Sequence, residues 1–143
     1  FNHHTPESYL TESPKNGLLQ LNANGSFTYQ PISFFAGIDS FRYQLRSGPQ
    51  SAVSVKVTLS VAEQESTASF VKLYPNPASR IARFESSVPI QLVEVFNANG
   101  QQIFSRKMNT SNSQIDVSTY VPGTYFIRFT AGNQIIVNKL VKN

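Results

Sequence analysis

Ser51-Ala52-Val53-Ser54-Val55-Lys56-Val57-Thr58-Leu59-Ser60-Val61 decides the fold class. Val53, Val55, Val57, Leu59 and Val61 alternate with Ser54, Lys56, Thr58 and Ser60, and a period of two places the two sets on opposite faces of a half-buried strand. No helical stripe competes with it. Before it, Ser47-Gly48-Pro49-Gln50 predicts a turn, and Phe41, Tyr43 and Leu45 share one face of the preceding strand. Further upstream, Leu18 to Leu21 and Ser26 to Tyr29 flank Asn22-Ala23-Asn24-Gly25. Asn-Gly supplies the positive φ angles of a tight turn, so a hairpin is predicted.

After it comes Ala62-Glu63-Gln64-Glu65-Ser66-Thr67-Ala68-Ser69, with two acids and no large apolar side chain. Such a stretch buries too little to offset its own ordering entropy, so it reads as a linker and as the easiest place to cleave. The chain therefore divides into a block over 1–61, a linker over 62–69 and a block over 70–143.

Phe70 to Tyr74 reads as a strand stopped by Pro75 and Pro77, which lack the N–H a ladder needs. Arg80–Glu85 and Ile90–Phe96 are predicted as two further strands, followed by a second Asn-Gly turn at Asn97-Ala98-Asn99-Gly100 and a strand over Gln101–Met108. Asn109 to Ser113 is predicted as a loop before a strand at Gln114–Val117. Thr124–Thr130 and Gln134–Val141 close the block across Ala131-Gly132-Asn133. Seven short strands at this spacing predict an Ig-like antiparallel sandwich. The fold class is all-β: two Ig-like sandwich modules, the first incomplete.

The 143 residues contain no cysteine, which excludes disulfides, thiolate metal sites and cysteine nucleophiles. No run of about 18 apolar residues is present to form a membrane-spanning helix. Beginning mid-pattern at Phe1, the chain reads as the C-terminal piece of something longer. Residues 70–143 carry eight basic against three acidic side chains, but these are scattered singly and form no run. They read as solvated strand faces, and no nucleic-acid partner is expected.

The first block carries Gly17-Leu18-Leu19, then Gly25-Ser26-Phe27-Thr28-Tyr29-Gln30-Pro31, then Phe35-Ala36-Gly37-Ile38-Asp39-Ser40-Phe41-Arg42-Tyr43. This resembles the second half of a bacterial Ig-like or cadherin-like tandem repeat. The first strands of such a repeat lie upstream, so residues 1–14 are expected to be poorly regular.

In the second block four motifs occur in order: Tyr74-Pro75-Asn76-Pro77; Val93 to Ile103 around Gly100; Ile115-Asp116-Val117-Ser118 with Gly123-Thr124-Tyr125-Phe126; and Asn138-Lys139-Leu140-Val141-Lys142-Asn143. Together they resemble the type A C-terminal sorting domain of the type IX (Por) secretion system of Bacteroidetes. Val117 and Thr124 stand where that pattern usually has Leu and Val, and Asn138 and Asn143 are small departures around the basic tail.

The resemblance implies an address: a domain that folds in the periplasm and is recognised by the outer-membrane translocon and its shuttle β-barrel. A sortase then cuts near the linker, at one of residues Ala62, Glu63, Gln64, Glu65, Ser66, Thr67, Ala68 and Ser69, and the cargo is released outside or attached to the cell surface. Candidate recognition residues are Tyr74, Pro75, Asn76, Pro77, Gly100, Gly123, Tyr125, Lys139, Leu140, Val141 and Lys142. Recognition could run through strand addition at a free edge or at the C-terminal end. It could equally run through the Pro-Asn-Pro loop, inserted at little entropic cost; the plainer role of that loop is a rigid turn. The free domain is expected to be a monomer.

No catalytic constellation is legible. His3 and His4 are adjacent, so in a strand they point to opposite faces, and no third metal ligand is near. No histidine besides these two, at the start of the first block, is present to activate a serine. The close carboxylate pair Glu63 and Glu65 lies in the linker. Neither cofactor nor metal is expected. Asp39 could hold calcium between repeats; its expected role is to cap a turn. Gly100 and Gly123 read as backbone necessities, and Tyr125 and Phe129 as core. The rival reading of the whole chain is a pair of passive spacer or adhesive Ig-like modules of a surface protein.

Overall fold

The alternating stretch is a strand, and no described residue is helical. The computed structural model describes residues 7–46, 52–62 and 70–143. His3 and His4, the turn at Ser47–Gln50 and the linker residues Glu63 to Ser69 lie outside the described residues; Ala62 is exposed. In chain order the strands are β1 (Glu7–Glu12), β2 (Gly17–Leu21), β3 (Phe27–Pro31), β4 (Gly37–Arg46), β5 (Ala52–Val61), β6 (Val71–Tyr74), β7 (Ile81–Asn97), β8 (Gln102–Asp116), β9 (Gly123–Ala131) and β10 (Gln134–Lys142). The chain is all-β, and every ladder between these strands is antiparallel.

The first block forms a three-stranded sheet in the order β1-β4-β5 and a separate hairpin, β2–β3. Gly25 turns the hairpin at φ +92°, with its N–H bonded to the Asn22 carbonyl at 3.0 Å. Phe41 is fully buried and meets Phe27 of the hairpin edge-on, ring centroids 5.1 Å apart. The valines of β5 are at best half-buried, as an incomplete sandwich leaves them.

Residues 7–12 correct the expectation that 1–14 would be irregular. β1 adds to the edge of β4, with Tyr9 opposite Gln44 and Leu10 opposite Tyr43. An ion pair between Arg42 and Glu12 (3.1 Å) and the Arg46 guanidinium over the Tyr9 ring (5.3 Å) lie across that pairing. Backbone ladder bonds suffice to order a segment whose own sequence is nearly featureless.

The second block forms one sheet in the order β10-β9-β7-β6, with β8 on the other edge of β7. It has five strands where the sequence predicts seven, because β7 and β8 each join two. β7 runs through Ser86–Pro89 with register shifts between Glu85 and Ile90; its first part pairs with β6 and its second with β9. The polar run Asn109–Ser113, expected as a loop, stays in β8, with Thr110 Oγ1 donating to the Asn112 carbonyl at 2.8 Å. Pairing with a long partner overrides the turn propensity of Ser, Thr and Asn.

The core of this block comprises Ala78, Ala82, Phe84, Ile90, Val93, Val95, Ile115, Val117, Tyr125, Ile127, Phe129, Ile136 and Leu140, with the Phe84 and Phe129 rings 5.0 Å apart. A second cluster lies apart from it. Leu18 of β2 packs with Phe96, Phe126 and Val137, flanked by Ile32, so the first block's hairpin rests on the second block's sheet.

Candidate functional site

Tyr74 ends β6, and the two X-Pro bonds that follow, Tyr74–Pro75 and Asn76–Pro77, are both cis. Pro75, Asn76 and Pro77 are exposed. The Tyr74 hydroxyl donates to Glu85 Oε1 at 3.0 Å, which pushes its pKa above the ordinary phenol value, and Lys72 Nζ lies 5.8 Å from the ring centre. A tyrosine, a lysine and a carboxylate thus form the flank of the proline loop.

Asn76 connects that loop to the end of the chain. Its Nδ2 donates to the Lys139 carbonyl at 2.8 Å, and its Oδ1 accepts the Val141 N–H at 2.9 Å. Two residues on, the Ala78 N–H bonds the Val141 carbonyl (2.8 Å) and the Ala78 carbonyl accepts the Asn143 N–H (2.9 Å), a short parallel bridge between Ala78 and Lys142. Asn138 Nδ2 reaches the Val71 carbonyl at 2.9 Å. The segment after β6 therefore imitates a neighbouring strand along the outer edge of β10, with the Asn76 amide standing in for a peptide group.

Of the candidate residues, Tyr74, Pro75, Asn76 and Pro77 are brought together with Lys139, Val141 and Lys142 at one edge, and Gly123 pairs opposite Lys142. Leu140 and Tyr125 pair opposite each other and are buried; the Tyr125 hydroxyl donates to the Val121 carbonyl at 2.6 Å. Both side chains face inward in the folded domain. Gly100 stands apart, at the turn between β7 and β8, with a backbone neighbour from β2. Gly123 is exposed, with φ +151°.

This geometry bears on strand addition. Adding a strand along the end of β10 requires displacing Asn76 and Ala78. The other long edge is β8, which pairs only with β7. There Arg106 donates to Ser113 Oγ (3.0 Å) and to the Gln114 carbonyl (3.4 Å), a charged side chain lying across the edge.

Two polar constellations were not legible in advance as units. Asp39 is buried and accepts bonds from Lys15 N (3.1 Å), Asn16 N (2.9 Å), Ser40 N (2.9 Å) and the Tyr29 hydroxyl (2.8 Å). Burial alone would raise the Asp39 pKa, but these donors overrule it and hold the carboxyl below its usual range. Burial and the bond to Asp39 push the Tyr29 hydroxyl up. Asp39 thus ties together the bend before β2, the hairpin and β4. Among the described residues no group of three or more His, Asp or Glu is placed to hold a metal. The second constellation is Arg128 with Glu94, a two-bond ion pair at 3.0 and 3.1 Å.

Two protein families are similar to parts of the chain. Residues 72–143 match the family described as secretion system C-terminal sorting domain. The chain belongs to that family. Residues 3–60 match the bacterial Ig domain family. Neither family is of a catalytic kind. A sorting domain of this type directs export across the outer membrane through the type IX machinery. No curated protein is similar to the chain at a significant level. Among solved structures, dimeric latent PorU from Porphyromonas gingivalis is similar at 17% identity and a TM-score of 0.38, over 87% of this chain and 14% of that one. The sorting-domain chain thus spans about one seventh of that structure's length.

Proposed function

We propose that residues 70–143 are the address by which a larger cargo, attached upstream, is carried through the type IX outer-membrane translocon, with residues 1–61 the C-terminal part of an Ig-like module of that cargo and 62–69 the linker. The domain folds in the periplasm, engages the translocon and its shuttle β-barrel, and is cut from its cargo by a sortase within the linker. The cargo is then released outside the cell or attached to its surface. The chain itself carries no catalytic role and binds no nucleic acid, and the free domain is a monomer.

The observation that supports this reading is the Asn76 clamp, which joins the exposed first motif to the half-buried last motif at one edge. A partner reading Tyr74–Pro77 reads the end of β10 at the same time. It meets a rigid, preformed loop, so little entropy is lost on docking.

The test is to fuse residues 1–143 behind a periplasmic signal peptide and a fluorescent reporter, and to compare medium and cell surface in a type IX-competent strain and its translocon mutant. Export in the first with retention in the second is expected. Retention of a folded fusion in both strains would overturn the proposal in favour of a spacer or adhesive module.

A further inference from the structure

The strands of the sorting domain are apolar on both faces where β7, β9 and β10 lie side by side. Val95, Ile127 and Ile136 face the core, while their neighbours Phe96, Phe126 and Val137 belong to the second cluster. Pointing away from the core, these three would be expected to be wet; they are 1%, 1% and 3% exposed. What covers them is the β2–β3 hairpin, through Leu18 (1% exposed) and Ile32.

Polar groups close the same contact. The Arg128 guanidinium, fixed by Glu94, lies 4.7 Å from the centre of the Phe96 ring and donates through Nη1 to Gln30 Oε1 at 2.9 Å. The Ser33 N–H, just past the hairpin, bonds the Val137 carbonyl at 2.8 Å. Gly100 completes the fit: a Cβ there would stand 2.0 Å from the Leu19 carbonyl oxygen, so only glycine admits the β2 backbone at that turn.

We infer that this outer face of the sorting domain is a binding surface whose resident occupant is the hairpin of the preceding module, so that the two modules form one rigid body. Hydrophobic burial, a charge-assisted bond and a backbone bond converge on one patch, as at a specific interface. The short linker keeps the two surfaces at a high effective concentration. The face is accordingly withheld from outside partners while the hairpin is seated, and cutting the linker removes that effective concentration and lets the hairpin leave the face.

The test is 15N relaxation on the full chain. A single rotational correlation time shared by amides of β4 and of β9 is expected; two distinct times would overturn the inference. Leu18→Asp places a carboxylate in the contact but leaves the sorting domain's own core untouched. It should weaken docking by about 10- to 100-fold, the worth of one buried leucine, and split the correlation times. Persistence of one time in Leu18→Asp would overturn the inference too. Gln30→Ala, which removes only the bond to Arg128, should speed exchange of the Ser33 amide, the donor to the Val137 carbonyl, several-fold without unfolding either module; unchanged exchange there would overturn the interface.

Discussion

The Asn76 side chain spans the backbone of the C-terminal strand, donating to the Lys139 carbonyl at 2.8 Å and accepting the Val141 N–H at 2.9 Å. One amide satisfies two groups that would otherwise mark an open sheet edge. Asn76→Ala removes both bonds at an exposed position, for a loss of about 1–2 kcal/mol. In a domain of this size that lowers the melting temperature by roughly 4–15 °C, read by differential scanning calorimetry. Asn76→Asp keeps the acceptor but turns a carboxylate oxygen toward the Lys139 carbonyl, and should melt no higher than the alanine variant.

The Asp39 cluster makes stability of the first module depend on pH at both ends. The folded-state pKa of Asp39 lies below its ordinary 3.8, so its contribution is present above that pH and is lost as pH falls through the folded value. Tyr29 is shifted the other way, above its ordinary 10.0; its contribution holds below pH 10 and is lost on further rise. Asp39→Asn should cost about 2–3 kcal/mol near neutrality, because donors from Lys15 and Asn16 lose a charged acceptor. It should also flatten the acid limb of a urea-midpoint against pH curve.

Arg128 and Glu94 form a pair whose side chains are only 19% and 13% exposed. Removing one partner leaves a poorly hydrated charge, so Arg128→Ala should destabilise by about 2–4 kcal/mol, more than a surface ion pair could. The double variant Arg128→Ala with Glu94→Ala should recover part of that loss. A double-mutant cycle on thermal unfolding measures the coupling.

Two glycines with positive φ should respond differently to alanine. Gly123 (φ +151°) has open space around it, so Gly123→Ala carries only backbone strain, about 1–2 kcal/mol. Gly100 (φ +81°) adds a collision with the Leu19 backbone. Gly100→Ala should therefore lower the thermal midpoint distinctly further, and Leu18→Asp, by already lifting the hairpin, should shrink the difference.

Period-two patterning made β4, β5, β9 and β10 legible, and Asn-Gly located both tight turns, where Gly25 and Gly100 have φ +92° and +81°. Strand length was not legible in β7 and β8. The Ser, Thr and Asn residues that signal loops are held in the ladder by a long partner, an effect no local window contains. β1 escaped notice because its order comes from the edge of β4. The sorting motifs were legible as motifs, but the reach of Asn76 to Lys139 and Val141, across more than sixty residues, was not. The docked hairpin left one trace: Phe96 beside Val95, and Phe126 between Tyr125 and Ile127, break the apolar-polar alternation and mark strands buried on both faces.

The parallel bridge between Ala78 and Lys142 also has a mechanical meaning. Were this domain pulled from its two ends, the force would enter through Phe70, at the start of the segment leading to Ala78, and through the end of β10. Two stretches running side by side in the same direction are then drawn lengthwise past each other. The bonds joining Asn76 to Lys139 and Val141, and Ala78 to Val141 and Asn143, share that load at once instead of peeling apart singly. Resistance to such a pull would be set by the rate of forced unfolding rather than by equilibrium stability.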